Sequence, residues 1–288
     1  GGPRIKNKIK AQSSAEFVLA NGAECEPLIH KDAEIMKHFP EGILAGMEAM
    51  ITATGARLGK FGVKTKYAES LAALERHANR ERIEFVPLGD FYPSGDEYEL
   101  VYSATGRLIP PSGIPLNVGC VVNNVDPGLF VNGIMMGSLS RDFDGVVTKT
   151  TGGLIVLPGD HYLVTRRDRS VPELARIGKS ACDQCSYCTE FCPRYLLGYE
   201  VQPHKVMRSL GFTTTGGDIW NQWAELCCSC GICTLYACPE DLYPKEACDA
   251  GKLSRKAAGL KFIQQKPVQP HPMKEYRRVP LAHLRKRL

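Results

Sequence analysis

Ten of the chain's twelve cysteines lie between Cys182 and Cys248, and no other feature limits the fold as strongly. Cys182, Cys185, Cys188 and Cys192 stand as C-x2-C-x2-C-x3-C, followed by Pro193. Cys227, Cys230, Cys233 and Cys238 repeat the pattern with one more residue before the last cysteine, and Pro239 follows it. Three thiolates at this spacing wrap a four-iron, four-sulfide cube. The cysteine before the proline ligates the other cube in two-cluster ferredoxins. The spacing therefore predicts two 4Fe–4S clusters: Cys182, Cys185, Cys188 and Cys238 hold one, and Cys227, Cys230, Cys233 and Cys192 the other.

Other uses of these thiols fit less well. A zinc ribbon wants paired C-x2-C knuckles and no Cys-Pro ending. Disulfides need relaxed geometry and an oxidising compartment, and dense cysteine with no legible targeting segment points to a reducing cytoplasm. Cys25, Cys120 and Cys228 read as small apolar residues, and Cys248 is left outside both sets. His30, His38, His77, His161 and His204 are scattered and read as surface or core.

The chain has 288 residues, enough for more than one domain, and its 43% hydrophobic content is that of an ordinary globular protein. No apolar run reaches the roughly 18 residues that a membrane-spanning helix requires. The net charge of +5 hides an asymmetry, because Lys252–Leu288 carries eleven Lys and Arg against the single acid Glu275. That basic, proline-containing segment suits an acidic partner or the chain's own acidic body. Its only aromatics are Phe262 and Tyr276 and no recognition fold is legible, which disfavours nucleic acid.

The N-terminal part alternates apolar runs of two periods. A strand is expected at Ala15–Ala20 and a helix from Asp32 to about Gly59. A second helix, capped by Thr65, runs to about Asn79, and a strand follows at Ile83–Val86. Further strands are expected at Val118–Val122 and Leu154–Leu157, then a linker over Pro158–Lys179. Short helices at Tyr195–Tyr199, Pro203–Leu210 and Trp220–Leu226 separate the cysteine motifs. The alternation implies an α/β sheet, whose strand ends are the usual cofactor site.

Three segments carry a resemblance: Leu19–Pro27 (LANGAECEP), Phe91–Glu97 (FYPSGDE) and Val121–Val125 (VVNNV). They are similar to the flavin-binding subunit of respiratory complex I and the C subunit of the Rnf complex. Ser180–Gly198 and Cys233–Pro239 more closely resemble the cobalamin reductase (PduS) family of propanediol-utilisation microcompartments. The resemblance implies a Rossmann-like FMN-binding domain, then a mostly helical ferredoxin-type domain with two 4Fe–4S clusters. The implied boundaries are 1–125 for FMN and NADH, 126–179 for a β-rich connection, 180–250 for the clusters and 251–288 for the basic tail.

It also implies that Asn21, Glu24, Asp96, Asn123 and Asn124 contact the ribityl chain and phosphate. Tyr92 and Gly95 would lie beside the isoalloxazine ring, and Glu26 near the nicotinamide. Of the family's glycine-rich loop only Gly1-Gly2-Pro3 is recognisable, with Lys6 or Lys8 as the flavin-binding lysine. Ala23 replaces an acidic residue, and a β-grasp domain that usually follows Val125 has no counterpart. The implied activity is electron transfer from NADH through FMN and the clusters to cobalamin, with a corrinoid adenosyltransferase and a microcompartment shell as partners. Two rival readings stay open: a Rnf-type protein exchanging electrons between ferredoxin and NAD, and a non-catalytic relay or assembly module.

Overall fold

The computed structural model describes residues 14–125, 155–209 and 221–287. These divide into two compact units, one formed by 14–125 with Ile155 and the other by the residues from Val156 onward. Lys6, Lys8, the Gly1-Gly2-Pro3 remnant and most of the expected 126–179 connection lie outside the described residues.

The first unit is a parallel four-stranded sheet. Its strands are β1 (Phe17–Gly22), β2 (Leu58–Lys64), β3 (Ile83–Leu88) and β5 (Cys120–Asn124), in the order β3-β2-β1-β5. A two-residue strand, β4 (Phe91–Tyr92), lies between β3 and β5 in the chain. β1 is apolar at every position from Phe17 to Ala20, as a strand covered on both faces must be. Phe17 and Leu19 face a core shared with Leu100, Val101 and Ile109. Val18 and Ala20 face the opposite core, with Met36, Leu44, Met47, Ile51, Phe61 and Leu74. That second layer comes from α1 (Lys31–His38), α2 (Pro40–Thr54) and α3 (Ala68–His77), and the first layer from α4 (Glu97–Thr105).

Several expectations are corrected here. The single helix expected from Asp32 to Gly59 is two helices broken at Phe39-Pro40. Proline lacks an N–H and pushes the preceding residue out of helical geometry, and Phe39 sits at φ −131, ψ 42. The end of that expected helix is instead β2, which the sequence reading missed. Thr65 does not cap α3; its N–H continues the ladder to the Leu88 carbonyl at 3.1 Å, and α3 begins at Ala68. Residues 155–157 form no strand, and Val156 is exposed.

The second unit is built of short helices: α5 (Tyr162–Arg167), α6 (Val171–Ala181), α7 (Tyr187–Glu190), α8 (Pro193–Leu196), α9 (Pro203–Ser209), α10 (Pro244–Ala257) and α11 (Leu281–Arg285). The expected linker over 158–179 is therefore mostly helical. Arg166 is buried in this unit, hydrogen-bonded to the carbonyls of Thr234 and Leu242, with its guanidinium 4.2 Å from the Tyr243 ring centroid. It ties together the chain on either side of Cys238.

The basic tail packs on the same unit. His271 N–H donates to the Leu196 carbonyl at 2.8 Å, Phe262 N–H to Glu225 at 2.9 Å, and Arg277 pairs with Glu190 at 3.2 Å. Among the described residues, no helix is long and apolar enough to cross a membrane.

Candidate functional site

In the strand order β3-β2-β1-β5, the chain moves one way from β1 to β2 and β3, and the other way to β5. The carboxyl ends of β1 and β5 therefore flank a topological switch point, where open α/β sheets bind their ligands. Asn21 is the penultimate residue of β1, and in register with it stands Asn124, which ends β5. The Asn21 Nδ2 amide donates to Asn124 Oδ1 at 3.0 Å and to the Gly95 carbonyl at 2.9 Å, while its Oδ1 accepts from Ala23 N–H at 3.2 Å. One side chain thus fastens β5 and the Phe91–Asp96 loop to the switch point.

Gly95 lies where a methyl group would press on this cradle. A Cβ there would meet Asn21 Oδ1 and Ala23 Cβ at 3.3 Å and Cys25 Sγ at 3.4 Å. Amide groups gathered at a switch point are of the chemistry that a polyhydroxylated cofactor such as FMN calls for.

The other expected flavin residues divide. Asn123 pairs in register with Ala20, one position before Asn124, so the pleat sends its side chain to the opposite face of the sheet. Glu24 is buried, and its carboxylate accepts from the N–H groups of Asp32 and Ala33 at the start of α1. Asp96 caps α4 by accepting from Tyr98 N–H and Glu99 N–H at 3.2 and 3.4 Å. Both acids thus serve helix starts, where orphan donors and the helix dipole favour a carboxylate. Glu26 and Tyr92 are both buried, at 7% and 2% exposure.

Sequence reasoning missed Lys64. It ends β2 with its side chain fully buried and its ammonium paired to Asp90 at 3.1 Å, and Lys66 pairs with the same carboxylate at 2.8 Å. Burial pushes the Lys64 pKa below its ordinary value. It also raises the thiol of nearby Cys25 to about 11, partly offset by the Lys64 charge. Only the apolar surroundings of a strand end could have signalled this lysine, and Gly59 and Gly62 obscure that pattern in the sequence.

The cysteine motifs adopt one backbone recipe twice. The residues flanking the second cysteine are left-handed in both: Gln184 and Ser186 around Cys185, and Ser229 and Gly231 around Cys230, all with φ between 55° and 85°. Left-handed geometry is costly for a side-chain-bearing residue, so three such residues mark a loop shape that is demanded. The extra residue of the second motif is absorbed in a π-turn over Cys233–Ala237, where the first motif has the ordinary helical turn α7. A π-turn accommodates one inserted residue, so Cys238 keeps the place that Cys192 holds after α7.

All twelve cysteines stand as free thiols. Burial raises Cys188 to about 12, and the neighbouring Cys182, Cys238 and Cys185 add to the shift. Cys192 is raised by burial and then by Cys227 and Cys228. Cys233 is raised by burial and by Cys227, Cys188 and Cys192. Cys188 thus feels the sulfur before the second proline, and Cys192 feels the second motif.

Donors already point at the sulfurs: Gln184 Nε2 to Cys182 at 3.1 Å, Ser229 N–H to Cys227 at 3.3 Å and Leu242 N–H to Cys238 at 3.3 Å. Cys248, fully buried on α10, donates to Cys227 and brings that thiol down to about 7. Among the described residues, no three His, Cys, Asp or Glu side chains gather as around one metal ion. Cysteine sulfurs with N–H groups aimed at them suit iron–sulfur cubes, whose sulfurs accept such hydrogen bonds.

The Nuo51 FMN-binding domain family matches residues 3–131, and the 4Fe–4S dicluster domain family matches residues 181–243. Cobalamin reductase PduS of Citrobacter freundii is 31% identical over 99% of this chain and 74% of its own length. The Salmonella typhimurium protein of the same name gives the same identity and coverage. The chain belongs to the PduS cobalamin reductase family. A more distant relative comes from the proton-translocating ferredoxin:NAD(+) oxidoreductase complex of Clostridium ljungdahlii. Its C subunit is 26% identical over 79% of this chain and 49% of its own length. The alignment to the PduS proteins spans 340 positions, more than this chain's 288, so those relatives carry inserted residues without counterparts here. As a member of this family the chain is an oxidoreductase with an FMN-binding domain and a 4Fe–4S domain.

Proposed function

We propose that the protein takes electrons from NADH and delivers them singly to a corrinoid, using FMN at the switch point and two 4Fe–4S clusters in the second unit. The observation that carries this reading is the pairing of the Asn21–Asn124–Gly95 crevice with two cysteine loops of matching left-handed geometry in one chain. Bound FMN accepts two electrons together and releases them one at a time, and the clusters carry single electrons.

The chain's own residues supply position and surroundings. The Asn21 and Asn124 amides orient a ribityl chain and its phosphate, with Lys8 or Lys6 as the expected phosphate partner. Gly95 and Tyr92 would lie beside the ring, and Glu26 near the nicotinamide. Cys182, Cys185, Cys188 and Cys238 hold one cluster; Cys227, Cys230, Cys233 and Cys192 hold the other. No side chain is asked to act as nucleophile or general acid. The stoichiometry balances as one NADH losing two electrons and releasing a proton, while two corrinoid cobalts each gain one electron. The corrinoid acceptor rests on the relatives' name, cobalamin reductase; an adenosyltransferase that consumes the reduced corrinoid, in the cytoplasm within a microcompartment shell, is what the sequence resemblance implies.

The test is anaerobic stopped-flow spectroscopy of the reconstituted full chain with NADH and hydroxocobalamin. Flavin and cluster bleaching followed by the cob(II)alamin spectrum, without any other protein, is the expected result. If the flavin bleaches but the corrinoid stays oxidised until ferredoxin or membranes are added, the chain works as a Rnf-type protein. If NADH bleaches nothing, it is a relay module.

A further inference from the structure

We infer that Thr189 and Thr234 are positioning residues of the two clusters, one hydroxyl for each, an inference that rests on the two-cluster reading. They hold the same place in the two motifs, directly after the third cysteine, in Cys188-Thr189 and Cys233-Thr234. Both are buried, at 4% and 2% exposure. A helical threonine ordinarily turns its hydroxyl back on its own turn. These two reach forward to the start of a later helix. Thr234 Oγ1 accepts from Lys245 N–H at 2.9 Å and donates to Glu246 Oε2 at 2.8 Å. Thr189 Oγ1 accepts from His204 N–H at 3.4 Å and stands 2.7 Å from His204 Nδ1.

The helix starts explain the arrangement. α9 begins at Pro203 and α10 at Pro244, and proline has no N–H, so His204 and Lys245 carry the first donors of their helices. Such donors have no partner inside the helix. An N-cap side chain ordinarily takes one of them, but Tyr243, at the N-cap of α10, makes no such bond. The cysteine loop supplies the acceptor instead. In return the loop is gripped, because a stiff β-branched side chain held through its hydroxyl fixes the peptide that follows the third cysteine. The same two helices pack on other proposed ligands. Val206 of α9 and Cys248 of α10 share a knot with Cys227, and Met207 of α9 shares one with Cys238 and Cys182. The two hydroxyls meet unlike side chains, an imidazole and a carboxylate. What the motifs have in common is therefore the tie from cysteine loop to helix start, and not the group at its far end.

The experiment uses the full chain with its clusters reconstituted anaerobically. Wild type is compared with Thr189→Val and Thr234→Val, which keep the branched shape and lose the hydroxyl, and with Thr189→Ser and Thr234→Ser, which keep the hydroxyl. Electron paramagnetic resonance separates the clusters, their signals assigned beforehand from Cys185→Ser and Cys230→Ser. One measurement is the rate at which each signal is lost to a chelator; the other is its midpoint potential. Groups that orient metal ligands carry about 10- to 100-fold in metal affinity, so Thr189→Val should lose the cluster of Cys182, Cys185 and Cys188 about tenfold faster. The midpoint of that cluster alone should shift. Thr234→Val should do the same to the cluster of Cys227, Cys230 and Cys233, and each serine variant should behave as wild type. Unchanged rates and midpoints overturn the inference. So does loss of both clusters together, which describes a cap needed only for folding, or a serine variant that behaves like valine, which describes packing of the methyl group. Wild type that takes up no iron removes the cluster reading itself, and the inference with it.

Discussion

At the centre of the first unit, Val18 and Leu19 point to opposite faces of β1, and each is buried to within 1%. At comparable depth in the second unit stand Cys188, Cys192, Cys230, Cys233, Cys238 and Cys248. Its small apolar knots are Val206–Ala224–Cys248 and Met207–Cys238–Leu242, each including a cysteine. The first unit has a hydrocarbon core on both sides of a hydrogen-bonded sheet and presents its proposed cofactor residues at the rim. The second has helices of four to fourteen residues and places its proposed ligands where a core would be. The difference predicts that flavin binding and folding are separable in one unit, whereas cluster binding and folding are one event in the other.

The strongest way to break this comparison is to take away the iron. Chelation under anaerobic reduction should unfold the second unit, because metal binding free energy on the order of 10 kcal/mol is then folding free energy. Hydrogen exchange should show α9 and α10 losing protection while β1 and β2 keep theirs. Persisting protection in α9 and α10 would show that the cysteine-lined core stands without metal. Cys238→Ser sharpens the same point: it should disturb the cluster of Cys182, Cys185 and Cys188, read by electron paramagnetic resonance. A change confined to the other cluster would refute the exchanged ligand sets.

A smaller effect tests whether the C-terminal segment is structural in the cluster unit. Gly198 has φ +97, and a Cβ there would lie 2.1 Å from the Gln269 carbonyl oxygen and 2.5 Å from its nitrogen. Backbone atoms cannot swing aside as side chains do, so Gly198→Ala should cost about 3 kcal/mol from strain and overpacking together. Limited proteolysis should then cut within 262–287 while the sheet unit stays intact. Unchanged resistance would mean that the tail rests on this unit only loosely.

The smallest effect belongs to the sheet unit. Asp90→Asn leaves the Lys64 ammonium buried without its counter-charge and should cost about 1–3 kcal/mol at neutral pH. The lower end is expected, because Asp90 is partly exposed and solvent screens the pair. Burial works to raise the Asp90 pKa, but hydrogen bonds from Lys66 and Lys64 outweigh it and hold the carboxyl below its ordinary 3.8. A depressed carboxyl pKa adds stability above 3.8 that is lost as pH falls through the folded value. The gap between wild type and Asp90→Asn, followed by thermal unfolding, should therefore close below that pH. A gap that stays constant into strong acid would show that the pair contributes nothing through charge.

Much of the candidate chemistry was legible in the sequence because it is local. Iron–sulfur spacing is a property of a dozen consecutive residues, and the apolar run of β1 announces a strand buried on two sides. Pro40 also stood in plain view, although the periodicity around it concealed the break in the helix. Other features have no local signature. β2 reads Leu-Gly-Lys-Phe-Gly-Val-Lys, and only pairing with β1 and β3 makes it a strand. Asn123 and Asn124 look equivalent in the chain, yet register sends one to each face of the sheet. Glu24 and Asp96 carry the residue types a ligand site wants, and the starts of α1 and α4 take up their carboxylates. The burial of Lys64, the clamp made by Arg166 and the reach of Thr189 and Thr234 to later helices likewise depend on what distant segments bring near. Ligand spacing and hydrophobic period are written along the chain, whereas burial, register and the satisfaction of polar groups exist only between parts of it.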